Sequence, residues 1–151
     1  MGCARFEHAV VLNWRMATAW IMGLRYYAIV FAIAFALGVA RTLMIAPAIG
    51  VTAAVLFEVP VLIMVSWLAT RRLLRRHPLS LSHRALMGAV AFALTMASES
   101  ILAYLLRGQD FAAWVAEVAR PLGLVGLAGQ IVFGIMPVLV GNGKSPKSAA
   151  P

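Results

Sequence analysis

The chain has 151 residues, 63% of them hydrophobic and 12% charged, with a mean hydropathy of +0.92. Soluble domains are about one half apolar, so this composition excludes an ordinary soluble domain and points to an integral membrane protein. The net charge of +8 and isoelectric point near 11.1 invite a nucleic-acid reading, but the excess cations sit beside apolar segments, where membrane topology accounts for them. No nucleic-acid partner is expected.

Residues 1–25 carry Arg5, Arg15 and Arg25 around Phe6, Val10, Trp14, Ala17 and Ile21, which recur at helical spacing. No small-residue cleavage site follows, so the segment reads as a retained N-terminal extension or a helix lying along the membrane interface. A start at Met16 or Met22 is the alternative. Cys3 is the only cysteine, which rules out an intrachain disulfide and dithiol chemistry. Phe6 stands where a myristoylation signal wants Ser or Thr.

Crossing a hydrocarbon core of ~30 Å takes about 20 helical residues. Four stretches meet that length, at 26–46, 51–69, 86–106 and 122–140. The expected fold is an all-α membrane protein, a four-helix transmembrane bundle at 26–140 with the N-terminal interfacial helix or extension before it and a disordered basic tail at 141–151. The first span contains Arg41 and closes on a turn at 47–50. The second contains Glu58 and then Pro60, which cannot donate to the Leu56 carbonyl and so kinks the helix.

Between the second and third spans lie Arg71, Arg72, Arg75, Arg76 and Arg84. The positive-inside rule puts this loop, and with an even number of spans both termini, in the cytoplasm. Ten basic residues then lie inside, Arg107 and Arg120 outside, and Arg41 within the membrane. If the second helix continues into the loop, Arg71/Arg75 and Arg72/Arg76 form a basic face for anionic lipid headgroups. The third span carries Glu99. The fourth carries Gln130 and Pro137, which frees the Phe133 carbonyl and sets a second kink. The tail's Gly143-Lys144-Ser145 imitates a phosphate loop but has Val138 in place of the first glycine and Pro146 where a helix would start.

At 1.5 Å per residue, Arg41, Glu58, Glu99 and Gln130 lie about 9–13 Å from the outer boundary, nearly one level. Charges at such depth are costly unless paired. Arg41 and Glu58, on helices joined by a short turn, are the natural ion pair. Glu99 then joins a shared network or is kept protonated by its apolar setting. The aligned interior faces are Tyr27, Phe31, Ala34, Gly38 and Arg41; Val51, Ala54, Glu58, Leu62 and Val65; Gly88, Phe92, Thr95, Glu99 and Ala103; and Gly123, Gly126, Gln130 and Gly134. Small residues beside each polar one suit close membrane-helix packing. The level serves either as a structural clamp or as a proton or ion site.

Catalytic and metal signals are missing. His8, His77 and His83 fall at membrane edges, too far from the middle to hold haem, and two loop histidines without a carboxylate or thiol are a poor metal site. There is no HExxH or GxSxG motif. No catalytic residue, cofactor or metal is expected. Trp14, Trp20, Trp67, Trp114, Tyr26 and Tyr104 read as an interfacial aromatic belt.

The run Phe35-Ala36-Leu37-Gly38-Val39-Ala40-Arg41-Thr42, the step Glu58-Val59-Pro60, and the pattern Met87-Gly88-Ala89, Phe92-Ala93-Leu94 and Glu99 resemble those of small, uncharacterised four-span bacterial inner-membrane proteins. The resemblance covers about residues 26–140 and implies location and fold only. Small multidrug exporters are similar in size but carry their essential carboxylate in the first span, where this chain has Arg41. Fluoride-channel and DoxX-like proteins offer no motif that aligns. The expected role is a non-enzymatic subunit, accessory or interaction protein, in a homo-oligomer or larger membrane complex. The alternative is a small proton- or ion-coupled transporter acting as a dimer.

Overall fold

The computed structural model describes the backbone of residues 3–140 and the side chains of residues 16–140. The N-terminal stripe from Phe6 to Trp14, the side chains of Cys3, Arg5, His8 and Arg15, and the tail at 141–151 lie outside the described side chains. Helix α1 (Cys3–Ala40) runs into a π-helical turn (Arg41–Ile45) and one further turn, α2 (Ala46–Ile49). Then follow α3 (Val51–Arg76), α4 (Leu81–Arg107), α5 (Phe111–Val118) and α6 (Pro121–Val140), with no strand among the described residues.

Four helical stretches are long and apolar enough to cross a membrane: Met16–Ile49, Val51–Arg76, Leu81–Arg107 and Pro121–Val140. Each reversal has a local cause. Pro47 occupies the first turn of α2, and Gly50 follows it with φ 85°, a backbone state that side chains resist, which turns the chain into α3. Helix α4 stops on Gly108 at φ 64°, a left-handed cap whose N–H bonds the Tyr104 carbonyl at 2.9 Å.

Helix α1 packs against α3 and α4, and α6 packs against the same two. The four long helices therefore form a square in which α1 faces α6, and α3 faces α4, across the diagonals. Helices consecutive in sequence, α3 and α4, are not neighbours in space. Met22, Tyr26 and Val30 of α1, Ala69 of α3, Met87 and Ala91 of α4 and Phe133 of α6 make the core, in the half of the bundle nearest the arginine loop. The Tyr26 and Phe133 rings stack across one diagonal with centroids 4.5 Å apart.

No break separates residues 3–25 from the first span. Ala19 and Met22 are fully buried, so packing begins before residue 26 and the helix that was expected to lie along the interface is, from Met16 on, part of the bundle. Tyr26 is not a belt residue as its position suggested; it is wholly buried, because the extended helix carries it inside. Val51, placed on an interior face by spacing, is exposed at the first turn of α3. Gly88 and Gly134 behave as their faces suggested: a Cβ on Gly88 would lie 1.9 Å from the Gly134 carbonyl oxygen, so the backbones of α4 and α6 meet there.

Candidate functional site

The four polar residues that interrupt the apolar helices resolve into two pairs, each across an edge of the square. Arg41 Nε lies 2.7 Å from Glu58 Oε2, joining the end of α1 to α3. Nε–H makes no aligned hydrogen bond, so the contact is charge neutralisation rather than a directed bond. Arg41 opens the π-helical turn, whose carbonyl accepts from the N–H of Ala46, five residues on. Such wide turns are rare and cluster at functional positions. Beside the pair a shallow depression of about 430 Å³ is lined by Arg41, Thr42, Ala46, Pro47 and Val51.

The second pair joins α4 to α6, with Gln130 Nε2 donating to Glu99 Oε1. Among the described residues no cation stands within ion-pair distance of Glu99; the ion pairs are Arg41–Glu58 and Arg107–Glu117. Spacing therefore anticipated the Arg41–Glu58 contact, while the partner of Glu99 is an amide rather than a guanidinium.

Both prolines sit inside continuous helices, Pro60 in α3 and Pro137 in α6. The carbonyl that Pro137 leaves open has a specific taker: Tyr26 donates its hydroxyl to Phe133 O at 3.0 Å. Sequence reasoning missed this second polar level. Its signal was Ser66 and Thr70, one turn apart in an apolar helix, together with Pro137.

Helix α3 continues through Arg76, so Arg71, Arg72, Arg75 and Arg76 are all helical and exposed, with Arg84 half-buried in the first turn of α4. The Arg71 guanidinium lies 5.1 Å over the Trp67 ring, a cation–π contact at the exposed foot of the bundle. His77 is exposed, and His83 Nδ1 meets Ser80 Oγ at 2.5 Å. Among the described residues no three His, Cys, Asp or Glu side chains gather as a metal set.

At the opposite end, α5 was also unanticipated. Its signal was Asp110 before an apolar run: Asp110 Oδ1 accepts from the Ala113 N–H at 2.8 Å and caps the helix. Arg107 Nη1 reaches both Glu117 oxygens, at 2.8 and 2.9 Å, and Gln109 Nε2 donates to Glu117 at 2.9 Å. The Gln109 hydrogen bond first, and then the Arg107 contacts, hold the Glu117 carboxyl below its ordinary range. A depressed carboxylate stabilises the folded form above the unfolded value, and that contribution is lost as pH falls through the folded one. The side chain is 41% exposed, so the effect is small, under about 1 kcal/mol. The protection of α5 amides, taken relative to the intrinsic exchange rate at each pH, is expected to fall on acidification below pH ~4.3, and Glu117→Gln is expected to remove that pH response.

No protein-family model, curated protein or solved structure matches the chain.

Proposed function

We propose that the protein is a non-enzymatic, multi-pass component of the bacterial inner membrane, with both termini cytoplasmic. It acts as a subunit, accessory or interaction partner of other membrane chains or of a second copy of itself. Arg41, Glu58, Glu99 and Gln130 serve as a clamp that sets helix register. The observation that supports this reading is that each of the four is taken up by a side chain on a neighbouring helix of the same chain. Desolvated polar pairs of this kind restrict which packings are allowed. The arginine-rich foot of α3 and α4 suits anionic lipid headgroups of the inner leaflet.

Affinity purification in mild detergent with mass spectrometry and size analysis tests the proposal. Recovery in a stoichiometric complex, with other membrane chains or as a homo-oligomer, is the expected result; a monomer with no partner would oppose it. A second reading, a dimeric proton- or ion-coupled transporter, draws on Glu99, whose carboxylate has an amide partner and, among the described residues, no cation within ion-pair distance. The clamp reading expects Glu99→Gln to insert and fold normally with no change in proton-coupled flux in reconstituted vesicles. Loss of an existing flux with insertion intact would favour the transporter.

A further inference from the structure

Helix α5 (Phe111–Val118) is tethered to the ends of two long helices, to α4 through residues 108–110 and to α6 through residues 119–120. It packs on both, and closely on α6: a Cβ on Gly123 would meet the Glu117 and Val118 carbonyl oxygens at 2.5 Å. The tethers are too short for α5 to leave that end of the bundle. Apolar side chains are exposed on either side of it, Leu105 and Leu106 in the last turn of α4 and Leu124 in the first turn of α6.

The surface of α5 divides by helical geometry. Trp114, Glu117 and Val118 are half-buried and mark the side turned to the bundle. Ala112 and Ala116, both exposed, lie opposite, where small side chains tolerate water. At about 100° per residue, Trp114, Val118, Phe111 and Val115 follow one another within an arc of about 100°. The bundle covers the Trp114–Val118 part of this bulky stripe. Phe111 and Val115, 67% and 46% exposed, continue it round one flank, with the Phe111 ring 5.5 Å from the Trp114 ring. The carboxylates are taken up elsewhere: Asp110 caps the helix, and Glu117, on the other flank, is held by Arg107 and Gln109.

We propose that α5 is a membrane-interface anchor, with its Phe111–Val115 flank seated in the headgroup–acyl boundary of the leaflet opposite the arginine loop. The partner is phospholipid. A helix with one bulky apolar side and a watered side lies in the interface plane, and both tethers of α5 end on apolar turns that face outward. A flank of two side chains is far short of the ~800 Å² per partner that a stable protein interface buries. The anchor rests on the multi-pass reading and extends it, because it fixes the depth of the α4–α6 edge that carries Glu99 and Gln130.

The full chain with Cys3→Ser and one new cysteine bearing a nitroxide, in phosphatidylcholine–phosphatidylglycerol vesicles, tests the anchor. Collisions with oxygen, which concentrates in hydrocarbon, are compared with collisions with a water-soluble nickel chelate. Phe111→Cys and Val115→Cys are expected to favour oxygen, at about 5–10 Å into the headgroup–acyl boundary. Ala116→Cys is expected to meet nickel several-fold more often than Val115→Cys. Equal nickel access at positions 115 and 116 would overturn the anchor. Spin–spin broadening at position 115 that disappears on dilution with unlabelled chain would assign the flank to a second copy and overturn it too. Ile101→Cys, at an exposed site on α4, is the control. If position 101 is shielded from nickel and position 115 is not, the anchor alone fails. If position 101 is open to nickel, the membrane-spanning reading fails and the anchor with it.

Discussion

Gly88→Ala is expected to leave little folded, monodisperse protein after extraction in mild detergent. A Cβ at that position would fall 1.9 Å from the Gly134 carbonyl oxygen and 3.1 Å from its carbonyl carbon. The obstacle is backbone, not the end of a flexible side chain, so α4 and α6 must separate to admit it. Both helices carry core residues at this level, Met87 and Ala91 on one and Phe133 on the other, and separation would open that packing. Overpacked cores typically cost 1–3 kcal/mol, and a forced helix separation puts this case at about 3 kcal/mol or more, a large part of the 5–15 kcal/mol that stabilises a typical protein. Gly38→Ala and Gly126→Ala are the controls. Nothing lies within 4 Å of a Cβ at either, so both are expected to be neutral or slightly stabilising by helix propensity. Size-exclusion profiles and thermal midpoints of the three variants check the contrast, and a normally folding Gly88→Ala would disprove the close approach.

Arg41→Ala is the other change with a large expected effect. It leaves Glu58 facing an apolar surround without its cation. Breaking a fully buried pair costs about 3–5 kcal/mol and an exposed pair under about 1 kcal/mol. With the side chains 32% and 16% exposed, the loss is expected between those limits, at about 1–3 kcal/mol. The two halves of the pair are not equivalent. Arg41 sits beside an open depression and can extend its guanidinium toward water, whereas the shorter Glu58 is more enclosed. Glu58→Gln is therefore expected to be milder than Arg41→Ala. The double exchange Arg41→Glu with Glu58→Arg should recover part of the lost thermal midpoint, since it restores a pair across the same helices. No recovery in the exchanged variant would remove the clamp from consideration.

These two predictions draw on different kinds of information. The Arg41–Glu58 contact was legible in the sequence because both residues lie on helices joined by a short turn, at matching distances from it. The Gly88 contact was legible only in part. Gly38, Gly88, Gly123, Gly126 and Gly134 all fall on faces chosen by helical spacing, yet of these only Gly88 and Gly134 stand where two long helices cross closely, Gly123 lying against the backbone at the end of α5 instead. Spacing identifies a face; it does not say where along that face a neighbouring helix comes nearest. The same limit applies to Glu99, whose partner lies on α6 and depends on which helices share an edge of the square.

The sequence by itself determined the four long apolar helices and the expectation that Arg41, Glu58, Glu99 and Gln130 share a level, because hydrophobic length and a rise of 1.5 Å per residue are properties of each helix alone. Only the tertiary structure decided that α3 and α4 stand on a diagonal, that Glu99 meets Gln130, and that α1 remains one helix whose Tyr26 reaches across the bundle to the carbonyl freed by Pro137. Those outcomes depend on the rotation of each helix and on the order of helices around the bundle. Both are set by packing between segments distant in sequence, which periodicity along a single helix does not contain.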